Sequence, residues 1–212
     1  MIKNTIVPYT ALLCTLLVSS ALATDNLLGD ASFELRLPPD QGGWIPFDES
    51  WFSPDEARTG HQSMFNWGFS RSVPYPPFLV GTVSGSYQEF AANPGSRWRL
   101  TGFGKTSSEL KGAPAFGIVQ VSFFDALGKD LGAVETAGSS TAPRAKTSNE
   151  VNAQTPAGEW IFLDTGIATA PPGTKTVQAF TLYVDYSGSN TTQGVYFDDL
   201  SLCTLDDGSV CN

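Results

Sequence analysis

Apolar and polar residues alternate with period two along most of the chain, and helical periodicity is almost absent. Ser84 to Phe90 alternates in this way. So does Arg97 to Lys105, with Trp98 and Leu100 on one face and Arg99, Thr101 and Lys105 on the other, and the turn Asn93-Pro94-Gly95 joins the two. In Gly117 to Asp125 the face of Val119, Val121 and Phe123 is wholly apolar, and the opposite face carries Ile118, Gln120, Ser122 and Phe124. Thr176 to Asp185 sets Phe180, Leu182 and Val184 against Thr181, Tyr183 and Asp185. Each strand thus has a core face and a mixed face. Ser32 to Leu35, Ser63 to Gly68, Glu159 to Asp164 and Val195 to Leu202 are further strands. Many short strands, turns rich in Gly, Pro, Ser and Asn, and no long helix predict an all-β, antiparallel sandwich of jelly-roll type. Leu131 to Thr155, poor in large apolar residues, is expected to be a long exposed loop.

The first 23 residues stand outside this pattern. Lys3, an apolar run to Val18 and small residues up to Ala23 form a signal peptide, and no later run is long enough to span a membrane. The expected organisation is a leader at 1–23, one sandwich domain at 24–202 and a tail at 203–212. The product is expected outside the cytoplasm, at the periplasm, cell surface or beyond. The chain has 12 basic and 21 acidic residues, net charge -9, and losing Lys3 leaves 11 against 21, or -10. Such a surface repels nucleic acid and anionic lipid and leaves neutral ligands, cationic ligands and metal ions open. Past Cys14 of the leader, the only cysteines are Cys203 and Cys211, a pair suited to a disulfide that staples the tail.

One strand breaks its own pattern. In Val195 to Leu202 the apolar residues Val195 and Phe197 share one parity, and Leu200 and Leu202 share the other. A bulge at Asp198-Asp199 would return all four to the core, since one extra residue reverses the alternation. The two carboxylates would then either serve a hard cation with oxygen ligands or lie solvated at a sheet edge.

Several segments, taken in order, resemble carbohydrate-binding modules of the family 4, 9 and 22 group. Asn26-Leu27-Leu28-Gly29-Asp30-Ala31-Ser32-Phe33-Glu34 with Gly43-Trp44 is similar to the opening of those modules. Ala57-Arg58-Thr59-Gly60-His61-Gln62-Ser63 looks like their small-x-x-G-x-x-S turn, and Tyr87-Gln88-Glu89-Phe90 with Pro94-Gly95 and Trp98 looks like one of their hairpins. Gly117 to Gly128, Trp160, Pro172-Gly173 and Tyr196-Phe197-Asp198-Asp199-Leu200-Ser201-Leu202 complete the likeness. It implies a β-jelly roll whose first and last strands are tied by a structural calcium. Glu34 and one of Asp198 and Asp199 would be its carboxylate ligands, and the loop near His61 would supply carbonyls. It also implies a polysaccharide or cell-surface glycan, of the β-glucan or xylan class, lying across the mixed face of one sheet. Tyr183-Val184-Asp185 resembles an aromatic-x-acid strand that touches ligand, and Trp67 resembles a loop tryptophan over the groove.

The residues themselves agree with a sugar site in kind. Sugars present apolar C–H faces and dense hydroxyls, so a site needs flat rings beside planar donors and acceptors. The mixed faces offer Arg99, Gln120, Phe124, Tyr183 and Asp185, whereas Trp44, Trp98 and Trp160 are expected in the core. Catalytic signals are sparse: one histidine, His61, and no nucleophile or metalloprotease motif. Glu89, Asp125 and Asp185 would support a glycan-active hydrolase or lyase only if they shared a face. The expected function is a secreted, non-catalytic polysaccharide binder. Its rival is a structural or adhesive exoprotein that uses the jelly roll for protein contacts.

Overall fold

Strands assemble into two antiparallel sheets in a computed structural model that describes residues 26–68, 82–107, 110, 115–132, 145–186 and 193–205. The leader and Cys211 lie outside these residues, as do Tyr75, an aromatic set between prolines, and Asn190-Thr191-Thr192, a glycosylation sequon. One sheet is built around β4 (Thr82–Ala91), β12 (Thr176–Asp185) and β6 (Ala115–Phe124), with β1 (Ile45–Phe47) beyond β4. The far edge of β6 is shared by β7 (Asp130–Gly132), β8 (Lys146–Thr147) and β9 (Val151–Asn152). The other sheet runs β10 (Ile161–Asp164), β5 (Arg97–Thr106), β13 (Gly194–Thr204), β3 (Ser63–Trp67) and β2 (Ser50–Ser53), with β11 (Ala168–Thr169) also on β5.

Alternation decides what lies between the sheets. Val119, Val121 and Phe123 of β6 are fully buried and meet Met64, Leu100, Leu163, Val195 and Phe197 of the second sheet. Each such side chain contributes about 1.5–3 kcal/mol of burial. A polar strip crosses the interior, where Asn66 Nδ2 donates to Thr181 Oγ1 at 3.1 Å and Ser50 Oγ donates to Asn66 Oδ1 at 2.7 Å. Being paired, these groups do not carry the penalty of unsatisfied burial.

The bulge in β13 is present. Asp198 pairs with Phe103 and Ser201 with Thr101, so three steps on β13 match two on β5, and Asp199 takes φ 48°. Val195, Phe197, Leu200 and Leu202 all reach the core. Leu200 fits because Gly102, opposite, has no side chain; a Cβ there would overlap Leu200 Cδ2.

Four expectations are corrected. Ser32 to Leu35 is not a strand: the chain turns at Asp30 and Phe33, both at positive φ, because the Asp30 carboxylate accepts N–H bonds from Leu35 and Arg36 at 2.8 Å each and bends the backbone. Phe33 then plugs the sandwich against Trp44, with ring centroids 5.1 Å apart. Asn93-Pro94-Gly95 is a turn but not a hairpin, since β4 and β5 belong to different sheets. Within Leu131 to Thr155, β8 and β9 pair with β6, and Val151 is fully buried. The faces of β12 are reversed: Val177, Ala179, Thr181, Tyr183 and Asp185 point inward, and Phe180, Leu182 and Val184 lie on the outer side.

Candidate functional site

That reversal places a group of flat rings on the outer face of the first sheet. Register aligns Ile45, Tyr87, Phe180, Gln120 and Thr147 across β1, β4, β12, β6 and β8. Directly opposed residues share a side, with strands about 4.8 Å apart. The next row is Phe47, Gly85, Leu182 and Ile118. Because Gly85 has no side chain, the Phe47 ring can lie over it, where a Cβ would come within 2.8 Å of Phe47 Cζ. Tyr87 and Phe180 have centroids 5.5 Å apart and planes tilted by 37°, and Phe47 meets them at 6.4 and 6.5 Å. Beneath and beside the rings, Ile118, Leu182 and Val184 pack with Phe116 and Val83, and Phe47 and Phe180 rest against the same cluster.

Polar groups flank the rings on the other side. Gln178 Nε2 donates to Glu89 Oε2 at 2.7 Å, and Gln120 Nε2 donates to Ser122 Oγ at 3.1 Å. Flat apolar rings beside planar amides suit a ligand that combines C–H faces with hydroxyls. Among the described residues the platform carries no activated nucleophile and no acid–base pair. Glu89 lies on it, Asp125 is held in the β6–β7 turn by the N–H groups of Leu127 and Lys129, and Asp185 is buried between the sheets. The three carboxylates expected for glycoside chemistry therefore do not share a face.

The residues expected to bind ligand are dispersed. Gln120 is on the platform. Tyr183 and Asp185 are fully buried inside the sandwich. Arg99 is on the outer side of the opposite sheet, paired with Asp164 at 2.6 and 2.9 Å, a bond that holds the Asp164 carboxyl below its ordinary range. Trp67 is on that same outer side, where Trp51 stands edge-on to it at 5.9 Å. Trp44 and Trp98 are core residues as expected, whereas Trp160 is half-buried with Lys105 5.8 Å from its ring. Phe47, Tyr87 and Phe180 were not singled out for the site; the signal available was the parity of β12, where Val177 and Ala179 mark the inward side.

The expected metal ligands gather around one loop, residues 55–62. Asp198, fully buried, accepts N–H bonds from Arg58 at 2.6 Å and Thr59 at 3.1 Å on Oδ2, and from Asp199 at 2.8 Å on Oδ1. Asp199 binds the Arg58 guanidinium at 2.6 Å and the Thr59 hydroxyl at 2.5 Å. Glu34 Oε1 accepts N–H bonds from His61 at 2.9 Å and Gln62 at 3.1 Å. Calcium needs about six to eight converging oxygens, including carbonyls from such a loop. Here the loop turns N–H groups toward the carboxylates, and among the described residues no three His, Cys, Asp or Glu side chains converge. This donor set does not fit calcium. The tie between the opening segment and β13 is made by protein instead: Asn26 Nδ2 donates to Leu200 O at 2.7 Å, and Asn26 Oδ1 accepts from Leu202 N at 3.0 Å. Cys203 is 2 % exposed, and its expected partner Cys211 is outside the described residues.

Comparison with known proteins identifies the architecture. Neither a family model nor a curated protein sequence matches the chain. Among solved structures, the family 61 carbohydrate-binding module TmCBM61, in complex with β-1,4-galactotriose, aligns over 85 % of this chain and 99 % of its own, at 12 % identity and TM-score 0.50. The tandem family 22 modules of Paenibacillus barcinonensis Xyn10C align over 92 % of this chain and 48 % of theirs, at 15 % identity and TM-score 0.50. The α-L-arabinofuranosidase MgGH51, bound to arabinose, aligns over 87 % of this chain and only 27 % of its own, at 13 % identity and TM-score 0.54. The fold is therefore a β-jelly-roll sandwich like that of these carbohydrate-binding modules. At these identities the likeness is one of fold.

Proposed function

We propose that this chain is a non-catalytic binder of neutral polysaccharide, of the β-glucan or xylan class, acting outside the cytoplasm. The observation that carries the reading is the Tyr87–Phe180 platform, whose 5.5 Å ring spacing is comparable to the length of one pyranose unit, bordered by Gln120 and Gln178. The rings would stack on sugar C–H faces, and the two amides and Glu89 would take hydroxyls. The galactotriose complex of TmCBM61 and the family 22 modules, which share the fold, support a glycan ligand. The leader at 1–23 supports export, and in an oxidising compartment Cys203 and Cys211 would close the tail.

Affinity electrophoresis through gels containing soluble β-glucan, xylan or galactan tests this. Retarded migration is expected, reduced about tenfold in affinity by Phe180→Ala or Tyr87→Ala, equivalent to about 1.4 kcal/mol per ring. Trp67→Ala and Arg99→Ala, on the opposite sheet, should migrate like the wild type. Free migration of the wild type on every polysaccharide would overturn the proposal in favour of a structural or adhesive role.

A further inference from the structure

We infer that the Arg58 guanidinium takes the place of a bound cation in closing the loop at 55–62 onto β13, so that this end of the sandwich is locked without metal. The inference does not depend on the glycan reading. Three carboxylates, Glu34, Asp198 and Asp199, each bond to one short loop, and a carboxylate held in its charged form is favoured by positive groups turned toward it. The loop itself supplies it in two forms. The N–H groups of Arg58 and Thr59 point at Asp198, and those of His61 and Gln62 point at Glu34. The full charge comes from Arg58, whose Nη1 binds Asp199 Oδ2 at 2.6 Å while its guanidinium lies 3.5 Å from the centroid of Phe103.

Each part depends on the rest. Phe103 is the β5 partner of Asp198, so the ring beneath the guanidinium is fixed by the same register that sets the bulge. The bulge puts Asp199 at φ 48° and aims its carboxylate at Arg58 and Thr59. Gly60, at φ 70°, leaves the space that the Glu34 carboxylate fills; a Cβ there would overlap Oε1. A divalent ion entering between these groups would face the positive ends of four N–H dipoles and a guanidinium. Arginine suits the role because its planar fork stacks on a ring and binds a carboxylate at once.

The experiment is thermal unfolding of the full chain in EDTA and in millimolar calcium chloride. The expected wild-type Tm is the same in both. Arg58→Met should lower Tm by about 3–6 °C in both buffers, and Arg58→Lys, which keeps the charge and loses the stacked fork, by less. A wild-type Tm that drops in EDTA and returns with calcium chloride would overturn the inference, as would an Arg58→Met variant as stable as the wild type. Should Arg58→Met fail to fold, the amide resonances of Arg58, Thr59, His61 and Gln62 in the wild type decide. Their positions should not change on titration with calcium chloride, and saturable shifts there would refute the lock.

Discussion

Placing a methyl group at Gly102 tests the bulge directly. Gly102 faces the core of β5 where β13 carries its extra residue, and a Cβ there would overlap Leu200 Cδ2 and come within 3.4 Å of Leu200 Cα. Leu200 is 2 % exposed, so in a close-packed interior it has little room to move aside. Overpacking of this kind costs about 1–3 kcal/mol, offset by about 0.5–1 kcal/mol because alanine is a better strand residue than glycine. Gly102→Ala should therefore destabilise by up to about 2.5 kcal/mol, and Leu200→Ala, which opens a cavity, by about 2–5 kcal/mol. In the double variant the new methyl enters the space the leucine vacated. The two changes should then fall short of their sum by about 1–2 kcal/mol. Urea unfolding followed by tryptophan fluorescence measures all four corners of the cycle, each kcal/mol appearing also as about 2–4 °C in Tm. Additivity within about 0.5 kcal/mol would mean that the two positions do not touch, and the bulge would lie elsewhere.

Two further outcomes separate stability from binding. Tyr183→Ala should destabilise by about 3–5 kcal/mol, as truncation of a large buried ring does, while the folded fraction keeps wild-type retention on polysaccharide gels; weakened retention by the folded variant would return Tyr183 to the site. Burial pushes the Asp198 carboxyl up to about 6 from 3.8, against the N–H donors of Arg58, Thr59 and Asp199, which pull it down. A carboxyl raised in the folded state contributes stability that is full below about pH 4 and is lost as the pH rises through about 6. Asp198→Asn cannot titrate, so its Tm should gain on that of the wild type between pH 4 and pH 7, and parallel pH profiles would refute the shift.

What could be read from the sequence followed the length of each signal. Val119, Val121 and Phe123 gave β6 its inward face without ambiguity, and the parity change between Phe197 and Leu200 located the bulge. Both rest on strict alternation over several residues, which few backbones other than a strand can satisfy. Ser32 to Leu35 offered only four residues, too few to outweigh an Asp30 carboxylate that bonds two backbone N–H groups and turns the chain. The platform was missed for a different reason. On β12 the larger residues Phe180, Leu182 and Val184 lie outside, because Phe116, Val83 and Phe47 shelter them there. The interior at that level is taken instead by Tyr183 and by a Thr181 that pairs with Asn66 and Ser86. A sheet that carries apolar side chains on both faces loses the contrast that alternation depends on. Only the start of the strand kept it, with Val177 and Ala179 against Thr176 and Gln178. Carrying that parity forward would have put Phe180 on the outer face beside Gln120. The tie between Glu34 and Asp198 had the opposite fate. The resemblance implied that Glu34 and one of Asp198 and Asp199 meet the loop near His61, but whether a loop offers carbonyls or N–H groups depends on backbone orientation, which side-chain patterning does not encode. At this locus the difference between a metal site and an arginine lock rests on the turn at Gly60 and on one arginine in the loop that closes over the bulge.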